Sequence, residues 1–76
     1  MSPAQCRAAR ALINFTQPRL AETAGVGLST VVDFERERRQ VSDESVQKMT
    51  QALVAAGIDF IPRNGGGLGV RLRSSD

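Results

Sequence analysis

The chain contains no histidine, tyrosine or tryptophan and a single cysteine, Cys6, among its 76 residues. Those absences remove most of a catalytic inventory. A zinc site needs Cys and His ligands, and a Ser-His-Asp triad or a Cys-His dyad needs an imidazole. No enzyme, no metal centre and no cofactor is therefore expected. One cysteine cannot form a disulfide within the chain. Cys6 falls on the same helical stripe as Ala9 and Ile13, where a thiol behaves as a small hydrophobe, so plain packing in the reducing cytoplasm is the expectation. Apolar runs are short as well. None approaches the length of a membrane span or of a signal-peptide core, and Met1-Ser2-Pro3 reads as the start of a helix and not as a targeting signal. Three phenylalanines are the only aromatic residues. With material for one domain the chain has little room for a pocket, and no small-molecule ligand is expected. A chain this short buries only about 60% of the surface its unfolded form exposes, which makes oligomerisation a natural source of added stability.

What is present is a compact signal between Thr16 and Glu35. Thr16 can cap a helix with its hydroxyl, Pro18 sits where a missing N–H removes nothing, and Leu20, Ala21 and Ala24 recur at helical spacing. Gly25 supplies the positive φ that ends this helix, and Val26 can pack back into the angle that follows. Gly27 then serves as the N-cap of a second helix, about residues 28–36, in which Val31 and Phe34 repeat on an inner face. Leu28, Ser29, Val32 and Asp33 are left pointing outward. Two short helices joined by a glycine-bearing turn are the layout of a helix-turn-helix.

The rest of the chain resolves around that motif. Ser2-Pro3-Ala4-Gln5 is a capping box that opens a first helix running to about Asn14, with Cys6, Ala9 and Ile13 inward. Arg36 to Gln40 holds no apolar residue and reads as a solvated connection. Ser42 then caps an amphipathic helix with Val46, Met49, Leu53 and Ala56 on one face, stopped by Gly57. After it the period changes. Ile58 to Ile61 and Val70 to Arg73 alternate about Asn64-Gly65-Gly66-Gly67, which predicts a β-hairpin. The glycine run is a flexible turn and not a phosphate loop, because no Gly-Lys-Ser/Thr follows it. The apolar residues Ile58, Phe60, Val70 and Leu72 need a surface to cover, with Leu12 and Val54 as candidates, so the hairpin is expected on helices one and four. Its edge is a possible dimer interface. The net charge of +2 is modest. Its arginines cluster at the helix-turn-helix and again at Arg63, Arg71 and Arg73, where phosphates can be met.

Thr16-Gln17, Leu20-Ala21, Ala24-Gly25-Val26, Ser29-Thr30-Val31 and Phe34-Glu35 resemble, at matching spacing, the helix-turn-helix of Cro/C1-type (XRE-family) regulators. The resemblance implies a mainly α, four-helix lambda-repressor-like domain over residues 1–57, followed by a short C-terminal β-hairpin at 58–73 and a tail at 74–76. It implies double-stranded DNA as partner, read in the major groove, by a homodimer on a palindrome. Leu28, Ser29, Val32 and Asp33 would then face base edges, and Thr16, Gln17, Arg19, Gly27, Thr30, Arg38 and Arg39 would meet the backbone. Arg10 and Glu35 look like the internal ion pair of phage repressor domains. Asp33 is expected to pair with Arg36 one turn later, and Arg7 to be merely solvated. Two positions depart from the family's pattern. Gly27 stands where serine or threonine is usual, and Leu28 where a polar or basic residue is common. The expected function is a transcriptional regulator, most simply an autorepressor in the cytoplasm. An antitoxin-type protein-interaction module and a DNA-bending recombination accessory factor are the alternatives.

Overall fold

Three of the four helices begin where a side chain satisfies backbone donors that the helix itself cannot. In the computed structural model, which describes residues 1–63 and 65–73, the elements run α1 (Pro3–Ile13), α2 (Gln17–Ala24), α3 (Leu28–Arg36), α4 (Asp43–Ala55), β1 (Ile58–Ile61) and β2 (Gly69–Leu72). Asn64, placed by the sequence in the hairpin turn, and the 74–76 tail lie outside the described residues. Ser2 Oγ accepts from the Gln5 N–H at 3.1 Å and Gln5 Oε1 accepts from the Ser2 N–H at 2.8 Å, completing the capping box. Thr16 Oγ1 caps α2 through the Arg19 N–H at 3.1 Å, and Ser42 Oγ caps α4 through the Ser45 N–H at 3.2 Å. Gly27 caps α3 with no side-chain bond.

Helix ends are as informative as helix starts. Gly25 closes α2 at φ 73°, as a residue without a Cβ allows. At the end of α3 the same left-handed conformation falls on Glu37, at φ 56°. There the Glu37 N–H donates to the Phe34 carbonyl at 3.2 Å and the Arg38 N–H to the Asp33 carbonyl at 3.0 Å, folding the chain back over its last turn. A non-glycine residue holds that conformation at a cost. Glu37→Gly should therefore raise the unfolding free energy by about 1 kcal/mol, read from urea denaturation, with no change in fold.

The core is small and draws on every helix. Cys6 and Ala9 of α1, Leu20 and Ala21 of α2, Val31 of α3, Val41 of the connection after it, Met49 and Leu53 of α4 and Ile58 of β1 form one buried cluster. The strands pair antiparallel with Ile58 opposite Leu72 and Phe60 opposite Val70. As expected, β2 packs on α1 and β1 on α4. The expected covering residues do not serve. Leu12 and Val54 are exposed, because Leu12 adjoins Ile13 and Val54 adjoins Leu53, each about 100° round its helix from the inward stripe. Ile58 reaches the core instead beside Met49 and Leu53, with Phe60 and Val70 packed against the cluster. Leu72 stays 53% exposed. It lies over Gly57, which has no side chain to cover it. Gln5 is buried and fastens the hairpin, its Nε2 donating to the Gly69 carbonyl at 3.0 Å.

Candidate nucleic-acid interface

The turn between α2 and α3 is fixed by backbone bonds and by one buried charge. Gly25 N–H donates to the Glu22 carbonyl at 3.3 Å and Val26 N–H to the Ala21 carbonyl at 3.0 Å, while Thr30 N–H returns to the Gly27 carbonyl at 3.1 Å. These bonds let Gly27 start α3 directly. Val31 and Glu35 then face inward and are buried, Phe34 is half-buried, and Leu28 and Ser29 stand exposed at the first turn. Val32 and Asp33 are half-buried beside them, as is Thr30.

Glu35 is the hub of the site's scaffold. Its side chain is 1% exposed and takes Arg10 in a two-pronged contact, Nε to Oε2 at 2.6 Å and Nη2 to Oε1 at 2.7 Å. Gln17 Nε2 donates to Oε1 at 3.0 Å and Cys6 Sγ to Oε2 at 3.2 Å, while Arg10 Nη1 also holds the Phe15 carbonyl at 2.9 Å. Burial opposes the charge on Glu35, but the hydrogen bonds from Arg10, Gln17 and Cys6 together outweigh it and hold the carboxyl below the usual carboxylate range. Burial first, and then Glu35 itself, push the Cys6 thiol up, so that it stays protonated and can donate. α1, the start of α2 and α3 are thus locked to one carboxylate, which fixes the outward face of α3 relative to the first turn of α2.

Several expectations change here. Gln17, expected at the phosphate side, commits its amide nitrogen to Glu35. Its second amide hydrogen and the first backbone N–H of α2, which has no partner within the helix, remain to be offered outward. Asp33 pairs not with Arg36 but with Arg39, whose Nε lies 2.8 Å from Oδ2. The left-handed Glu37 is the reason, since it folds Arg38 and Arg39 back over the last turn of α3. Arg7 is exposed yet not merely solvated, for its Nη1 donates to the Glu35 carbonyl and caps the end of α3. Cys6 is a donor as well as packing. Arg19 lies over the Phe15 ring, 4.6 Å from its centre. Arg38 is exposed. At the far end of the chain two of the three arginines expected to meet phosphates are engaged, while Arg63 is exposed. Arg71 and Arg73 both pair with Asp59, at 3.5 and 3.0 Å, and Arg73 Nη2 also caps the Val54 carbonyl at 2.6 Å. Gln5 and Arg7 are the contributors that sequence reasoning missed. The signal for Arg7 was its place one turn before Arg10 on the flank of α1 that meets Glu35.

Among the described residues no group of three or more His, Cys, Asp or Glu stands together to hold a metal ion, and no helix is long and apolar enough to cross a membrane. A short helix, a glycine-closed turn and a second helix whose N-terminal face is free of the core define a helix-turn-helix module. The sequence model of the Cro/C1-type (XRE) helix-turn-helix family matches residues 7–54, from α1 to the last turn of α4 and more than half of the chain. The chain belongs to that family, whose members are DNA-binding transcription regulators and not enzymes. Among curated proteins none matches the sequence significantly.

Proposed function

We propose that this protein is a sequence-specific repressor that binds a palindromic operator as a homodimer, in the cytoplasm and at the nucleoid. The observation that carries the reading is the N-terminal face of α3, which is solvent-facing at Leu28 and Ser29 while its rear is held by buried Glu35. A rigid helix with a free front is what insertion into a major groove requires. Leu28, Ser29, Val32 and Asp33 then face base edges. The first backbone N–H of α2 and of α3, at Gln17 and after Gly27, with Thr16, Arg19, Thr30, Arg38 and Arg39, serve the phosphates. Residues 1–57 and the 58–73 hairpin act as one domain.

The hairpin is the dimer element in this reading. Ile58 is spent on the protein's own core, so the contact surface shifts from the set Ile58, Phe60, Val70 and Leu72 toward Leu72 and two further exposed apolar residues, Leu12 and Val54. An apolar surface of this kind is also what a protein-interaction module, such as an antitoxin, would present. Salt separates the two readings. Selection from a random duplex pool at two salt concentrations should enrich an inverted repeat with half-sites about 34 Å apart. Affinity for it should fall by roughly a hundredfold or more between 50 and 200 mM salt as counterions are released. Binding to no duplex sequence overturns the reading in favour of a protein partner.

A further inference from the structure

The outward face of α3 is short of the side chains that read bases by paired hydrogen bonds. Bidentate recognition uses Arg or Lys on guanine and Asn or Gln on adenine. From Leu28 to Phe34 the helix holds none of the four. Arg36 is the first, at the last helical position, whereas the N-terminal residues of such a helix are the ones that reach base edges. In their place stand Leu28, 46% exposed, and Val32 one turn on along the same face. Apolar side chains recognise only one feature of the major-groove wall, the methyl group at C5 of a pyrimidine.

We infer that this protein is a reader of pyrimidine 5-methyl groups, carried by thymine or by 5-methylcytosine, through Leu28 and Val32. The inference rests on the DNA-binding reading above and names what that face recognises. Asp33 bears on the second source. Its carboxylate stands beside Val32 and accepts one bond, from Arg39 Nε on Oδ2 at 2.8 Å. An ionised carboxylate has about four lone-pair sites, so capacity remains for the exocyclic amino group of a cytosine. Arg39 meanwhile offsets the charge that would otherwise be repelled by phosphates. An acceptor next to an apolar side chain complements the N4 amino group and the C5 methyl of 5-methylcytosine together.

The test replaces methyls without altering base pairing. The duplex selected by the full-length protein is compared with the same duplex carrying deoxyuridine for every thymidine, and with one carrying 5-methylcytosine for cytosine. Each methyl lost from contact should weaken binding about fourfold, the worth of one buried carbon near 0.8 kcal/mol. Loss on uracil substitution supports the inference with thymine as source, and gain on cytosine methylation supports it with 5-methylcytosine as source. The doubly substituted Leu28→Ala, Val32→Ala protein should bind methylated and unmethylated duplexes alike. Equal binding of all three duplexes by the unsubstituted protein overturns the inference while leaving the DNA-binding reading intact. Persistence of the difference in the double variant overturns it too, because the methyl then acts through the DNA. Selection of no duplex at all overturns both.

Discussion

Glu35→Ala should remove roughly 3 kcal/mol of stability, a large fraction of what a domain of this size possesses. The substitution does not simply delete a pair. It leaves the Arg10 guanidinium, the Gln17 amide and the Cys6 thiol facing a space that no longer holds an acceptor. Breaking a buried pair from one side costs about 3–5 kcal/mol in general. The lower end applies here because Arg10 is 19% exposed and keeps the Phe15 carbonyl, so its charge retains some solvation. Glu35→Gln keeps an acceptor oxygen for Arg10, and should cost less. The pH profile identifies the cause. Because the folded carboxyl titrates below its unfolded counterpart, the unfolded chain binds more protons between the two values and stability rises with pH there. The contribution is complete above the ordinary glutamate range, from about pH 5 upward, and is lost as pH falls through the folded value. Arg10 is raised by its bond to Glu35 and stays charged throughout. Urea denaturation from pH 3 to 7 should show a slope in the unsubstituted protein that is reduced in Glu35→Ala. Parallel profiles would mean that Glu35 is not the titrating support of the fold.

The same residues show what a sequence can and cannot disclose. Capping is local, so Ser2, Thr16, Ser42 and Gly25 marked three helix starts and one helix end without any tertiary knowledge. The inward stripe of α4 was equally legible, since Met49 and Leu53 follow the helical period into the core. The scaffold around Glu35 was only half legible. The resemblance to phage repressor domains implies Arg10 as partner, but Gln17 joins from the start of α2 and Cys6 from the turn of α1 before Arg10, through an arrangement that no periodicity encodes. Asp33 shows a different limit. Arg36 does lie within α3, one turn on from Asp33, but a left-handed Glu37 just beyond it turns the chain and delivers Arg39 to the carboxylate instead. Glutamate carries no signal for that conformation, unlike the glycine at position 25. Leu72 marks a third. Alternation correctly put it on the apolar face of the hairpin, but burial depends on what lies beneath, and Gly57 lies there.

Leu28→Glu should move folding and DNA binding in opposite directions. Leu28 is the first residue of α3, after a glycine cap that contributes no side-chain bond, and the first turn of α3 has no acidic residue. A carboxylate at that position lies beside unpaired backbone N–H groups and the positive end of the helix, which stabilises by about 0.3–1 kcal/mol. The leucine it replaces is nearly half exposed, so little burial is lost. The melting temperature should hold or rise. On DNA the same carboxylate would enter the major groove between two rows of phosphates. Juxtaposed like charges cost several kcal/mol, so the operator affinity should fall at least about a hundredfold, measured by fluorescence anisotropy on the selected duplex. Leu28→Gln, neutral and of similar length, should lose only its methyl contacts. The charge-specific part of the loss should shrink as salt is raised, because screening weakens repulsion between exposed charges. A variant that melts normally and still binds would remove the start of α3 from the DNA contact. A variant that melts normally and does not bind would leave that face as the reading surface, since a glutamate that strengthens the helix can weaken binding only by where it points.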